Sequence, residues 1–299
     1  MLIKWIRIIA KGQWNIYLFF FVCLFYLSAC NEDQKEGCLD YRYANFSVNA
    51  DINCLDCCKF PELRVILRHR ISQGDSLYPV IYKDQSYAFA QGDSFVIENL
   101  SFILSDFHLI DLEGREVPVF DSLFIRTVDP QRDSVFYSFS NSFLIGNPNL
   151  FQKKKVAAFF HHGLGVKALR FTLGVKPPAN VLTPLDFPPN HPLVVNQIYL
   201  YQKEKGYIFA NMQLKRKAFP LESSTNISLS GSDFLNTIEV PVFAKVKAGY
   251  HQEITLEVDY AIWFKGLDFS KDSPETIRKK CMVNLVNSFK IINVLEVID

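Results

Sequence analysis

The residues able to do chemistry are unevenly spread along this 299-residue chain, which carries seven cysteines and six histidines. Cys38, Cys54, Cys57 and Cys58 fall within 21 residues. Clustered thiols outside a reducing compartment predict disulfides, and four of them permit three pairings. Bonding the adjacent Cys57 and Cys58 to each other would strain the backbone. The expectation is that Cys38 and Cys54 pair one each with Cys57 and Cys58, in either order. Held as thiolates, the same four would make a zinc site, a chemistry less favoured where disulfides persist. Asp40, Asn45, Asn49 and Asp51 are interleaved with them and offer hard oxygens to calcium. The same residue types make Asx turns in irregular loops, and the few carboxylates favour the turns.

His161-His162, with His191 further along, is the best local candidate for a metal, because imidazole suits copper and zinc. Neighbours on a strand point to opposite faces, so both reach one ion only at a turn, which Gly163 makes available. Ser105, Asp106 and His108 tempt a triad, but near neighbours on a strand cannot take up that geometry. Asp106 is expected to turn the chain or to satisfy local backbone groups. The chain has no GxSxG, HExxH or P-loop pattern and no carboxylate pair suited to glycoside hydrolysis. The reading is therefore a binding protein and not an enzyme. Tyr199, Tyr201 and Tyr207 are the candidate binding surface, provided they are exposed; otherwise they pack a sandwich face. Cys281 reads as a buried thiol.

Compartment follows from the N-terminus. Lys4, Arg7 and Lys11 precede an apolar stretch, Ile16 to Leu27, which ends in Leu27-Ser28-Ala29-Cys30. This pattern reads as a signal segment ending in a lipobox, and the stretch is shorter than the ~20 residues that span a bilayer. Residues 1–29 are expected to be removed and Cys30 to carry lipid, which anchors without spanning. Without those three basic residues, 29 basic stand against 31 acidic side chains. So even a balance gives no electrostatic footprint for nucleic acid. The expected partners are the membrane, through the anchor, and an envelope or surface component.

Four segments follow: 1–29 signal, 30–36 tether, 37–60 cysteine-rich module and 61–299 β-domain. Period-2 alternation puts one face of a strand on a core. It predicts strands at 62–70, 95–104, 106–112, 169–175, 197–203, 206–215, 238–245 and 254–264. Lys205-Gly206 is expected to close a hairpin, and Pro241 marks an edge strand. One helix is expected near the end, capped by Asp272 or Ser273, with Ile277, Cys281, Leu285 and Phe289 on its apolar stripe. The fold class is mainly β, an antiparallel sandwich or barrel with one C-terminal helix behind a small disulfide-rich module.

Ile97-Glu98-Asn99-Leu100-Ser101-Phe102-Ile103-Leu104-Ser105-Asp106-Phe107 resembles a block of the MbnP-like family of exported copper-binding proteins. So, in order, do Leu169–Val175, Asn180, Gly206-Tyr207-Ile208-Phe209 and Val258–Phe264, spanning about 62–295. The resemblance implies a mostly β fold and copper handling. In that family a Met/Trp-rich strand resembling G-M-x-W-x-W precedes the Gly-Tyr-x-Phe step. Here the strand reads Gln197-Ile198-Tyr199-Leu200-Tyr201-Gln202-Lys203, without Met or Trp, which implies a divergent binder. Asn31-Glu32-Asp33 after Cys30, and the spacing from Gly37-Cys38 to Cys57-Cys58, resemble features of Bacteroidetes exported lipoproteins. They imply an outer-membrane or cell-surface location, with the periplasmic face also compatible.

Overall fold

The computed structural model describes residues 33–88, 94–128, 133–151, 153–158, 160, 163–216 and 224–298. Cys30, His161 and His162 lie outside the described residues. The chain divides into two compact units. The described parts are 33–40 with 46–58 in the smaller, and 41–45 with 59–298 in the larger.

In the smaller unit, β1 (Glu36–Gly37) pairs in parallel with β2 (Ile52–Asn53). Cys38 is bonded to Cys58, one of the pairings the sequence left open. The second expected bond is not formed, and neither Cys54 nor Cys57 is disulfide-bonded. A one-turn helix, Leu55–Cys57, folds the Cys57 thiol back onto the Cys54 carbonyl, 3.0 Å away. Side-chain oxygens hold the loop: Asp51 accepts from the Lys35 N–H at 3.0 Å and Asn53 from the Leu39 N–H at 3.1 Å. These bonds join segments 16 and 14 residues apart, so the side chains tie distant parts of the loop together and do not make the local Asx turns expected.

The larger unit begins with β3 (Glu62–Gln73), β4 (Ser76–Pro79), β5 (Ser86–Ala88), β6 (Ser94–Asp111) and β7 (Val119–Phe120). Next come β8 (Ser122–Val128), β9 (Ser134–Ser140), β10 (Phe143–Gly146), β11 (Lys153–Ala158) and β12 (Leu164–Leu173). It continues with β13 (Tyr201–Gln202), β14 (Gly206–Arg216), β15 (Thr225–Ser230), β16 (Asn236–Val246), β17 (His251–Asp259) and β18 (Phe289–Val297). One antiparallel sheet runs β13-β14-β6-β12-β16, with β5 and β10 on β6 and β15 on β14. Pro241 lies on β16, which ends that path, as a residue without an N–H requires. A second sheet runs β18-β17-β3-β11-β7. It is antiparallel except at its centre, where β17 pairs with β3 in parallel. Phe289 of β18 lies 5.2 Å from Phe171 of β12 and 6.2 Å from Phe102 of β6, ring to ring. The two sheets thus close one shared core as a sandwich.

Several expected boundaries move. The 197–203 strand is a one-turn helix, Gln197–Leu200, followed by the short β13. The 254–264 strand stops at Asp259, whose carboxylate accepts from the Ala261 N–H at 3.0 Å and so caps a turn of helix, Tyr260–Trp263. The C-terminal helix is Pro274–Val286, and its cap is Ser273, which accepts from the Thr276 N–H at 3.2 Å. Ile277, Cys281 and Leu285 are buried on its stripe, whereas Phe289 opens β18.

Candidate functional site

The larger unit carries an open cleft of about 770 Å³ over one face of the first sheet. Its floor arises from strand pairing. Gln213 of β14 stands opposite Asn99 of β6 on one side and Asn226 of β15 on the other. Two residues along, Asn211 stands between Ser101 and Ser228. Because alternate residues share a face, these side chains form two ranks of amides and hydroxyls across three strands. Asn147 extends one rank by donating to Ser101 Oγ at 3.3 Å. Asn211 donates to the Tyr199 carbonyl at 3.4 Å, and Ser228 Oγ lies 3.2 Å from Asn211 Oδ1. Asn99 Nδ2 is buried without a partner, a state that costs about 1–3 kcal/mol unless something else accepts from it.

The walls are pinned. On one side, Tyr87 is fully buried and its hydroxyl accepts from the Ile81 N–H at 2.7 Å. Lys83, in the left-handed region at φ 64°, donates its N–H to the Ile97 carbonyl at 3.0 Å. Tyr82 lines the cleft and donates its hydroxyl to the Leu100 carbonyl at 2.8 Å; burial raises that phenol's pKa well above its ordinary value. On the other side stand Tyr199, 46% exposed, and the Asn147–Asn149 turn, where the Asn149 N–H donates to Asn147 Oδ1 at 3.0 Å. Glu98 and Lys83 bring one charge of each sign to the lining.

The three candidate tyrosines part company here. Tyr199 lines the cleft. Tyr201 and Tyr207 form a cross-strand pair, edge to face at 5.2 Å, and Tyr207 is buried. Alternation on a strand would have placed Tyr199 and Tyr201 together, and the turn of helix at 197–200 separates them. The floor residues were hidden in the sequence because a polar residue at every second position reads as a solvent-facing edge. The available signal was local: Asn99 and Ser101 on β6, and Asn211 and Gln213 on β14, place uncharged polar residues two apart within otherwise apolar strands.

His191 is 6% exposed and caps the turn Pro192–Val195. Its Nδ1 accepts from the Leu193 N–H at 3.3 Å, its Nε2 lies 3.0 Å from Asn141 Oδ1, and its ring stacks on Phe187. Burial first, and the Lys154 charge second, lower its pKa to about 4. Both nitrogens are thus engaged. Asp106, at φ 59°, sits in a bulge of β6 between His108, at 3.0 Å, and the Lys176 ammonium. The His108 hydrogen bond, then the Lys176 contact, hold it at about 2 against desolvation. Ser105 donates to the Gly174 carbonyl at 2.7 Å and not to His108. The expected structural role of Asp106 follows: its own N–H donates to the Ser142 carbonyl at 3.0 Å, where the strand bends.

The family model MbnP matches residues 63–283, from the first strand of the second sheet into the C-terminal helix. The chain belongs to the MbnP family. No curated protein matches it. Among solved structures, MbnP from Methylosinus trichosporium is similar at 15% identity over 70% of this chain and 80% of that one, with a TM-score of 0.39. The MbnP family is associated with copper binding. Among the described residues of this member, no three His, Cys, Asp or Glu side chains converge on a point where an ion would sit. His251 Nδ1 accepts from the Glu62 N–H at 3.0 Å, and His69 Nδ1 meets the Tyr260 hydroxyl at 2.5 Å. Met212 and Met282 are buried in the core.

Proposed function

We propose that this MbnP-family chain is a lipid-anchored, non-catalytic binding protein of the cell envelope, divergent at the family's copper site. Its binding site is the cleft between Tyr82 and Tyr199. The observation that carries the reading is the pinned, amide-floored cleft, which has the size and convergent polar groups of a small-ligand site. The engagement of His191 by Asn141 and Leu193 supports the divergence. Cys30 carries the anchor, and the outer membrane or cell surface is the compartment.

The test is expression of the full chain in a Gram-negative host, with palmitate labelling and metal analysis of the purified protein. Label is expected in the chain and lost in Cys30→Ser, with copper well below one equivalent after titration with Cu(I) and Cu(II). Copper near one equivalent that is lost in His161→Ala or His162→Ala would restore the family's copper role and overturn the divergence. Unlabelled protein would overturn the anchor.

A further inference from the structure

We infer that the cleft recognises a neutral oligosaccharide. The inference rests on the binding role proposed above and names its ligand class. Three properties of the lining select that class.

The first is the pattern of donors and acceptors. Asn99, Gln213, Asn147 and Asn149 line the cleft. Each primary amide carries two N–H donors and a carbonyl acceptor side by side. A sugar hydroxyl donates one hydrogen bond and accepts others, so rows of hydroxyls match rows of amides without any change of charge.

The second is the charge. Lys83 and Glu98 supply one cation and one carboxylate to the lining. Phosphates and carboxylates are taken up by clustered arginines and lysines, and the described lining residues include no such cluster. Glu98 also accepts from the Ser224 hydroxyl, which directs part of its carboxylate away from a ligand.

The third is the aromatic contribution. Tyr82 and Tyr199 both line a site whose exposed lining is mostly polar. Aromatic rings offer flat apolar faces beside a polar tip, and the C–H face of a pyranose ring has the complementary shape. The lining is too polar for a lipid or a flat aromatic ligand, which need mostly apolar walls. An extended peptide commonly docks by adding a strand to a sheet edge. Here the floor is the face of β15-β14-β6, whose backbone groups are already paired.

Full chain in detergent, titrated by calorimetry with maltoheptaose, cellohexaose, mannohexaose and chitopentaose, tests the inference. Oligogalacturonate and tetra-alanine serve as the acidic and peptide comparators. At least one neutral oligosaccharide is expected to bind. Its affinity should fall about tenfold or more in both Tyr199→Ala and Gln213→Leu. Phe243→Ala, 85% exposed on β16 and outside the cleft, should leave it unchanged. Thermal melting of each variant separates lost binding from lost fold, and Asn149→Ala, at an exposed turn, replaces either variant that melts early. Binding by none of the neutral sugars, binding only of oligogalacturonate or tetra-alanine, or sugar binding indifferent to both cleft variants would each overturn it. Failure of the wider binding reading is registered separately, by copper in the metal analysis.

Discussion

The cysteines differ in what surrounds each sulfur. Cys281 lies on the buried stripe of the C-terminal helix, and burial pushes its thiol up to about 12. Cys54 and Cys57 are half-buried in the smaller unit, and the neighbouring Cys54 side chain raises the Cys57 thiol. Because thiolate is the reactive form, iodoacetamide at pH 8 should label Cys57 slowly, since its thiol is raised, label the accessible Cys54, and spare the buried Cys281. Denaturation should expose Cys281 as well, and peptide mapping by mass spectrometry reads all three. Labelled Cys281 in the native state would contradict its packing. The buried histidines set a pH dependence. His191 and His69 are each lowered to about 4 from 6.5, so the unfolded chain binds protons there that the folded chain does not. Their contribution is complete above pH 6.5 and is lost as pH falls toward 4. For His191 it is on the order of 3 kcal/mol, at about 1.4 kcal/mol per pKa unit. Asp106, held at about 2 chiefly by His108, adds a second loss below pH 3.8. Thermal melts from pH 7 to pH 3 should show Tm falling first between 6.5 and 4, and His191→Gln should shrink that first fall.

At the scale of elements, one glycine stands out. A Cβ on Gly146 would lie 2.0 Å from the Phe102 ring. That ring is hemmed in by Trp263 at 5.2 Å, Tyr260 at 6.4 Å and Phe289 at 6.2 Å, so it has little room to retreat. Gly146→Ala should cost about 1–3 kcal/mol, as overpacked cores do, measured by urea unfolding; an unchanged midpoint would show that the ring moves. Removing the Ser273 cap with Ser273→Ala should cost about 1 kcal/mol, read in the same experiment. The elements were unequally legible beforehand. Long strands such as β12 and β16 announce themselves because their side chains alternate between core and water. The turns of helix at 197–200 and 260–263 do not, since four residues are too few to separate a period of 3.6 from one of 2. The cleft was illegible for another reason: Asn99 and Gln213 gain meaning only when strand register sets them opposite each other.

The whole molecule is organised around a pairing of distant segments. β3 is the first strand of the larger unit, yet it lies inside its sheet, between β11 and β17. Its parallel partner runs from Gln252 beside Leu63 to Asp259 beside Arg70. Further ties join the same ends: the Asp259 carboxylate accepts from the Ser72 N–H at 2.9 Å, and His251 from the Glu62 N–H. A chain ending before His251 would leave β3 with one unpaired flank and its share of the core uncovered. Such a truncation should lose cooperative unfolding by circular dichroism and be digested rapidly by trypsin. A cooperative transition in the truncated chain would show that the first sheet folds alone.

That pairing also sets a schedule. During synthesis β3 emerges long before the strand beside which it will lie, and it must wait almost to the end of the polypeptide. Contacts so far apart in sequence form slowly. Until residues 251–259 have been made, one flank of β3 has no strand to lie against, so the second sheet closes only after nearly all of the larger unit is available.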